Sequence, residues 1–448
     1  MRHDSMRARN LALVLGEVAR DGPLTRAALA ELTGLTKTTV SKLVGDLLDA
    51  GMVRESGAVR DGERGRPGVA VSLSGDRVAA LGLEINVDYL SVCVMDLTRT
   101  VRLRRAQAVD NRDSLPTDVV RDLRILATEA VDEAATEGLA VCGAVLAVPG
   151  AVDPGGLVHN APNLGWRDVR PAVMLDLPMP VTVDNEANLA ALGELWFGSG
   201  GPDFLYVSGE IGIGAGLVFG GRVFRGTQGF AGELGHVVVD PDGPACRCGG
   251  RGCLERYAGQ DALLHATTPD EAPPPDGVPA GRHRPGDAPP DRHRPDRAQP
   301  GLPGDAPPDR HRPGRALPGL PGDAAPGRHR PGGGLEELVA RLAAGDGRAV
   351  AACEQAGHAL GIALTSAVNL VDPGTIVLGG IFAPLFPWLS GPTTAALARI
   401  RHVVPRLAVS TAGPDAATLG AAAQVIGQII ADPSAHLPRD PAAPAASR

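Results

Sequence analysis

Between residues 236 and 253 the chain holds a compact group of possible metal ligands. Cys246, Cys248 and Cys253 fall within eight positions, and His236 lies ten residues before the first of them. Three thiolates and one imidazole form a tetrahedral ligand set for zinc, and the intervening glycines permit a tight loop. Unligated thiols or a redox pair are the alternatives. We predict one structural zinc per chain, because four protein ligands leave no open coordination position.

The remaining cysteines and the N-terminal residues indicate the cellular setting. Cys93, Cys142 and Cys353 stand alone in apolar surroundings, as core residues do. The N-terminus alternates charged and apolar residues instead of forming a signal peptide, and no stretch approaches the roughly 18 apolar residues of a membrane helix. We therefore expect a cytoplasmic protein without a membrane partner. Thiols stay reduced in that compartment, which favours metal ligation over disulfides.

Charge is unevenly distributed along the chain. The net charge is −8, yet residues 1–79 carry 12 Arg and Lys against 10 Asp and Glu, so this region is at +2 and the remainder at −10. The chain has only two lysines, Lys37 and Lys42. Both fall in a segment with the pattern of a helix-turn-helix. The overall acidity therefore does not exclude a nucleic-acid partner.

Residues 1–78 are predicted to form a winged helix-turn-helix domain, mostly α with a small β wing. Thr25 and Thr36 are suited to cap the second and third helices, and Gly34 to form the turn between them. Apolar residues repeat at helical spacing on the inner faces: Leu11, Val14, Leu15, Val18, Val40, Leu43, Val44, Leu47 and Leu48. Two short strands then flank a tip rich in Gly and Arg, as in a wing.

The polar face of the third helix carries short hydroxyl and cationic groups, which bond phosphates and base edges in a major groove. Arginines at the wing tip are suited to a narrow minor groove. A small helical docking module with a solvated polar face is the alternative. The candidate DNA-binding residues are Thr36, Lys37, Thr38, Ser41, Lys42, Arg64 and Arg66.

Beyond residue 79, apolar runs alternate with helical stretches, which indicates an α/β fold. One segment differs. From residue 267 to 334 the chain is rich in Pro, Gly, Arg, His and Asp and repeats with an 18-residue period, so we expect a disordered insertion. The tail, 432–448, is expected to be disordered as well.

The stretch "GFAGELGHVVVDPDGPACRCGGRGCLE" resembles the signature of the ROK family of sugar kinases and sugar-responsive repressors. The resemblance continues through "VPGAVDPGGLVHNAPNLGW", "VDNEANLAALGELWFG", "GIGAGLVFGG" and "AVNLVDPGTIVLGG". It implies an actin-like ATPase fold in two lobes, 79–200 and 201–431, with the zinc loop 236–253 in the second. It also implies a sugar site formed by Asn163, Asn185, Glu186, Glu233, His236 and Glu255.

The phosphate loops distinguish a kinase from a repressor within this resemblance. ROK kinases carry an Asp-x-Gly-Gly-Thr hairpin and a Gly-Thr-Gly loop, where bare backbone approaches the nucleotide. Bulky or acidic residues replace these positions here: Asn86, Val87, Asp88, Glu210 and Ile211. Glu186 stands where the kinases place their catalytic Asp, and one added methylene displaces a general base. We therefore expect no enzyme, although residual kinase activity stays open.

These patterns predict a sugar-responsive transcriptional repressor that binds double-stranded operator DNA and a sugar effector without phosphorylating it. The resemblance implies a homodimer or a dimer of dimers, whose recognition helices meet half-sites about one helical turn apart. An active ATP-dependent sugar kinase with an accessory DNA-binding domain is the alternative. A degenerate scaffold that binds neither ligand is a third possibility.

Overall fold

The computed structural model describes residues 2–59, 68–112, 114–267, 333–399 and 403–437. All of them belong to one compact unit, Met1–Thr268 with His329–Arg448. A second unit, Pro269–Arg328, lies outside the described residues. So do the predicted wing-tip arginines Arg64 and Arg66, nearly all of the predicted insertion, and the tail beyond residue 437. Within the described ranges no helix combines the length and apolar character that a membrane crossing requires.

Three helices and a small sheet form the N-terminal region: α1 (Arg2–Asp21), β1 (Leu24–Thr25), α2 (Arg26–Thr33), α3 (Lys37–Asp49), β2 (Val53–Val59) and β3 (Gly68–Leu73). The Thr25 side chain accepts a hydrogen bond from the Ala28 amide and caps α2, while Thr36 caps α3 in the same way. Gly34, with φ of 69°, ends α2. Strand β3 pairs antiparallel with both β1 and β2. This arrangement confirms the predicted winged helix-turn-helix.

The inner faces of these helices form the core of the region, as their spacing predicts. Eight of the nine predicted apolar residues are buried: Leu11, Val14, Leu15, Val18, Val40, Leu43, Val44 and Leu47. Leu48 is partly buried and packs against them.

A five-stranded sheet organises the next part of the chain. The elements are β4 (Val78–Ile85), β5 (Tyr89–Asp96), β6 (Val101–Ala108), α4 (Pro116–Thr136), β7 (Ala140–Val148), β8 (Ala151–Val152), β9 (Val158–Ala161), β10 (Trp166–Val169), α5 (Pro171–Leu175), β11 (Val181–Asn185) and α6 (Glu186–Phe197). The strand order is β11-β7-β4-β5-β6. β4, β5 and β6 are antiparallel, whereas β7 and β11 run parallel to β4. Strands β8, β9 and β10 form a separate small sheet.

A second five-stranded sheet follows, with the order β14-β13-β12-β15-β16. Its elements are β12 (Phe204–Gly209), β13 (Ile213–Phe219), β14 (Arg222–Phe224), α7 (Glu255–Ala258), α8 (Gln260–Thr267), α9 (Gly333–Ala343), α10 (Gly347–Val371), β15 (Thr375–Gly380), α11 (Phe382–Ala398), β16 (Arg406–Val409) and α12 (Ala416–Ala431). Helix α6 packs against β12 and β13, and α11 packs against β15 and β16. The two sheets are the predicted two α/β lobes.

Helix α12 departs from the predicted lobe limits. It lies in the segment assigned to the second lobe, 201–431, but it packs against β4 and β7 of the first sheet and against α6. A Cβ atom at Gly420 would lie 1.8 Å from the Leu189 carbonyl oxygen, so the backbones of α12 and α6 are in direct contact. Packing between residues far apart in the chain places this helix, and sequence order does not reveal it. The remaining lobe limits stay a prediction.

The segment after α12 also differs from expectation. Residues Pro433–His436 form a short 3-10 turn that packs against α1 and α12, with Pro433 buried. Leu437 packs against the core beside them. The prediction of a disordered tail from residue 432 is wrong for these residues, because helix α1 supplies an apolar surface that covers them.

Candidate functional site

A cleft lined by loops from both sheets brings together all six residues of the expected sugar site: Asn163, Asn185, Glu186, Glu233, His236 and Glu255. They come from four separate segments: the turn between β9 and β10, the junction of β11 with α6, the turn before residue 237, and the start of α7. Paired carboxylates and amides of this kind bind neighbouring hydroxyl groups. The geometry is therefore compatible with a polyhydroxylated ligand.

Asn185 lines the cleft, but its side chain is engaged within the protein. Its Oδ1 accepts a hydrogen bond from the Asn188 amide at 3.1 Å and caps α6, while its Nδ2 donates to the Gly150 carbonyl at 2.8 Å. The cap fixes Glu186 at the first position of the helix. Asn185 thus holds two walls of the cleft together.

Glu255 and Asn163 form a pair across the cleft. Burial raises the pKa of the Glu255 carboxyl, whereas His236 and hydrogen bonds from the Ile213 amide and the Asn163 side chain lower it. A Cβ atom on Gly212 would lie 2.5 Å from Glu255 Oε2 and 2.7 Å from Asn163 Nδ2. Glycine at position 212 therefore gives this pair the space it occupies.

His236 faces the cleft and the cysteines at once. Its Nδ1 lies 3.9 Å from Cys246 Sγ, and its Nε2 lies 3.9 Å from the carboxylate of Glu233. Burial raises the pKa of Glu233, and the neighbouring His236 lowers it. Nδ1 of His236 is therefore placed to bind a metal, while Nε2 faces the carboxylate of Glu233 in the cleft.

The four predicted metal ligands converge. Their ligand atoms all lie within 4.8 Å of one another, and the Sγ atoms of Cys248 and Cys253 are 3.7 Å apart. Sulfurs bound 2.3 Å from a tetrahedral zinc lie about 3.8 Å apart, so the spacing fits the ion. All six cysteines belong to the described residues and none of them forms a disulfide. The group could therefore hold a metal.

Burial shifts the ionisation of two of these thiols. Burial raises the pKa of Cys253 to about 12 and also raises the pKa of Cys246. The surrounding protein therefore disfavours thiolates, which a divalent cation stabilises. The loop itself is held by backbone bonds, including the Cys246 amide to the Gly250 carbonyl at 2.8 Å. The thiols and the loop that carries them are therefore compatible with a bound metal cation.

The hairpin between β4 and β5 differs from a phosphate loop. Asn86 and Val87 are buried in its turn, and Asn86 donates to the Tyr89 hydroxyl at 3.3 Å. Asp88 forms an ion pair with Arg112 at 2.9 Å. Burial raises the pKa of Asp88, and Arg112 opposes that shift. Asp88 therefore repels a polyphosphate less than an unpaired carboxylate would, because Arg112 compensates its charge.

Two further residues, Ile381 and Phe382, pack tightly against the end of β12. Strands β12 and β15 run side by side, with Gly209 opposite Gly380. A Cβ atom on Gly209 would lie 2.7 Å from the buried ring of Phe382 and 3.0 Å from Ile381. The Ile381 amide donates to the Gly209 carbonyl at 2.7 Å. Ile381 and Phe382 are not among the predicted site residues, and their only signal in the sequence is that two bulky residues directly follow a glycine-ended strand.

The candidate DNA-binding residues that the structure describes lie together on α3 and its N-terminus. Thr36, Lys37, Thr38, Ser41 and Lys42 are all exposed. The Thr36 hydroxyl is already used as a helix cap and lies 2.8 Å from the Thr39 hydroxyl. The exposed face of α3 thus carries two cations, Lys37 and Lys42, and the hydroxyl groups of Thr38 and Ser41, all of which could contact a DNA groove.

Two protein-family models match the chain, one in the N-terminal domain and one in the α/β part. The ROK family model matches residues 80–279 and the MarR family model matches residues 11–64. The chain is 36% identical to a putative xylose repressor of Caldicellulosiruptor over 267 residues, 58% of this chain and 66% of that protein. It is 33% identical to the xylose repressor of Bacillus subtilis over 260 residues, 57% of this chain and 67% of that protein. The alignments thus span about two thirds of these relatives.

Solved structures share the fold. A ROK family transcriptional regulator, a homologue of the Escherichia coli Mlc protein, matches with a TM-score of 0.68 at 23% identity, covering 95% of this chain and 97% of that one. A ROK family glucokinase from Streptomyces griseus matches with a TM-score of 0.55 at 23% identity, covering 77% of this chain and 98% of that one. The likeness confirms the predicted two-lobed fold behind a winged helix-turn-helix.

Proposed function

This chain belongs to the ROK family, and from that premise we propose that it is a DNA-binding transcriptional repressor controlled by a sugar. Relatives named xylose repressors align over 58% and 57% of the chain, and the MarR family match at residues 11–64 supports a DNA-binding role for the N-terminal domain. The partners are double-stranded operator DNA and a small-molecule sugar. Cytoplasmic action is part of this proposal, because a repressor acts where the chromosomal DNA is.

Sensing without phosphorylation is supported by one contrast within the cleft. All six sugar positions of the cleft carry polar groups, whereas the buried Asn86 and Val87 stand in the turn where the kinases have glycines. Glu186 in place of the kinases' Asp adds to this contrast. A ligand that has hydroxyl groups but no triphosphate fits such a site.

We also propose that His236, Cys246, Cys248 and Cys253 hold one structural zinc ion. When bound, the ion would neutralise the thiolates and fix the loop that carries His236 beside Glu233 and Glu255. Homodimers, or dimers of dimers, would place two α3 helices on half-sites about one turn of DNA apart.

The first test is a fluorescence anisotropy titration of labelled DNA from the promoter region of its own gene, at fixed salt, with and without pentoses, hexoses and N-acetylated sugars. We expect binding at about 10⁻⁸ M or tighter. One sugar should change the operator affinity by about 5- to 150-fold. The opposite result, no DNA binding with sugar-dependent ADP release, would support the kinase instead. A melting temperature that neither ligand raises would support a scaffold.

Two variants separate the functions within this titration. Lys42→Ala removes an exposed cation of α3 and should weaken operator binding while sugar affinity stays unchanged. Glu255→Ala removes a cleft carboxylate and should abolish the sugar response while operator binding stays intact. Equal loss of both ligands in either variant would contradict a modular sensor.

A further inference from the structure

Helix α12 contacts both the cleft side of the molecule and the N-terminal domain. Its first turns pack against α6 and the first sheet, and α1 packs against α12 and the turn that follows it. Ile426 and Ile429 of α12 share one buried core with Leu11 and Leu15 of α1. A single helix therefore reaches from the lobes to the DNA-binding domain.

One polar contact joins the start of α12 to the β4–β5 hairpin. The Thr418 hydroxyl donates to the buried carboxylate of Glu84, and it lies 2.6 Å from the Ser91 hydroxyl. The turn of this hairpin, Asn86 and Val87, lines the cleft. A shift of the turn is thus linked through buried hydrogen bonds to α12.

Arg225 makes a second connection between the cleft side of the molecule and α12. Its Nε donates to Asp184 at 2.7 Å, and its guanidinium also donates to Gln424 Oε1 of α12 at 2.7 Å. Its carbonyl accepts from the Ala231 amide, at the base of the loop that leads to Glu233. Arg225 therefore lies between the loop that leads to Glu233 and helix α12.

Asp184 extends this connection to the cleft. Its Oδ1 accepts a hydrogen bond from the Asn185 amide at 2.8 Å, directly before Glu186 at the start of α6. Its Oδ2 receives Arg225. One guanidinium thus joins Asp184, beside the start of α6, to Gln424 of α12, which a lysine ammonium with its single nitrogen would not reproduce. The loop that leads to Glu233 is held by the main-chain carbonyl of the same residue.

The backbone of α12 packs directly against β4 and α6, so a movement of these elements moves α12 as well. A Cβ atom at Gly82 would lie 2.1 Å from the Thr418 carbonyl oxygen, and one at Gly193 would lie 2.1 Å from the Ala416 carbonyl oxygen. Backbones in direct contact leave no layer of side chains to adjust between them. Tightly packed elements of this kind move as a unit.

Resting on the proposed function, we propose that α12 carries the effector signal and that the Arg225–Gln424 contact is its input. Sugar in the cleft shifts the loop carrying Glu233 and the start of α6, Arg225 passes the shift to Gln424, and α12 passes it to α1. Arg225 and Gln424 are positioning residues, since neither lines the cleft.

Gln424→Ala in the full-length chain tests this proposal. The variant keeps the Arg225–Asp184 ion pair and removes only the contact to α12. We expect the sugar and operator affinities, each measured alone, to stay within about twofold of wild type. The factor by which sugar changes operator affinity should fall about three- to tenfold.

Two matched variants accompany it. Gln428→Ala makes the same substitution one turn later on α12, at an exposed position, and should keep the wild-type response. Gln424→Glu retains an acceptor for Arg225 and should restore the response. Equal coupling in Gln424→Ala and Gln428→Ala would overturn the proposal while the repressor function stands. A wild-type chain whose operator affinity no sugar changes would overturn both.

Discussion

Cys248 is one of four candidate ligands whose atoms converge between the second sheet and the cleft. Cys248→Ser should reduce the zinc content of the purified chain from about one ion to well below one, as measured by elemental mass spectrometry. Sugar affinity should fall at least about tenfold, because the loop that orients His236 loses its anchor. Operator binding without sugar should change little, since α3 belongs to a different part of the chain.

Cys142→Ser is the control for this substitution. Cys142 is partly buried in β7, away from the four-residue group, and its Sγ contacts the Ala140 carbonyl at 3.5 Å. Zinc content and sugar affinity should match wild type in this variant. A wild-type chain purified without chelators that carries no zinc would contradict the metal proposal.

At the scale of elements, the contact between α6 and α12 depends on glycine. Gly420→Ala would place a Cβ atom 1.8 Å from the Leu189 carbonyl oxygen, so the two helices must separate. We expect a loss of about 1–3 kcal/mol in the free energy of unfolding, measured by urea denaturation. The sugar response should weaken as well, because α12 loses its support.

Gly427→Ala is the matched control on the same helix. A Cβ atom there would meet the Trp196 ring at 3.7 Å, an ordinary contact. Alanine favours a helix over glycine by up to about 1 kcal/mol, so this variant should be as stable as wild type or more stable. Similar destabilisation in both variants would mean that tight packing at Gly420 is not the cause.

At the scale of the whole molecule, α8 and α9 are joined in the sequence by a long segment rich in Pro and Gly. α8 ends at Thr267, α9 begins at Gly333, and the two helices pack against each other. Replacing residues 268–332 by a short Gly/Ser linker should therefore leave sugar and operator affinities within about twofold of wild type. The melting temperature should stay within about 3 °C, measured by differential scanning calorimetry.

A Gly/Ser segment of the natural length is the control for this deletion. It keeps the chain length and removes the 18-residue repeats. Loss of operator binding in both variants would assign the repeats a role in recognition, whereas loss in the short-linker variant alone would point to the length of the connection.

The sequence by itself determined the features that depend on neighbouring residues. Side-chain caps at Thr25 and Thr36, the glycine turn at Gly34 and the spacing of the Cys and His ligands act over a few positions, so their patterns are legible in the chain. The six cleft residues came from family motifs, and the structure brings all six to one cleft.

The tertiary structure alone decided the contacts between distant segments. Arg225 and Gln424 are 199 residues apart, and Glu84 and Thr418 are 334 apart. No local rule pairs them, because their meeting depends on α12 returning to the first sheet. The ion pair of Asp88 with Arg112 and the packing of Phe382 on Gly209 also join residues that are separated in the sequence, although neither involves α12. Caps, turns and ligand spacings depend on residues a few positions apart, so the sequence shows them. The connections between the cleft and the DNA-binding domain depend on contacts between distant segments, which only the tertiary structure shows.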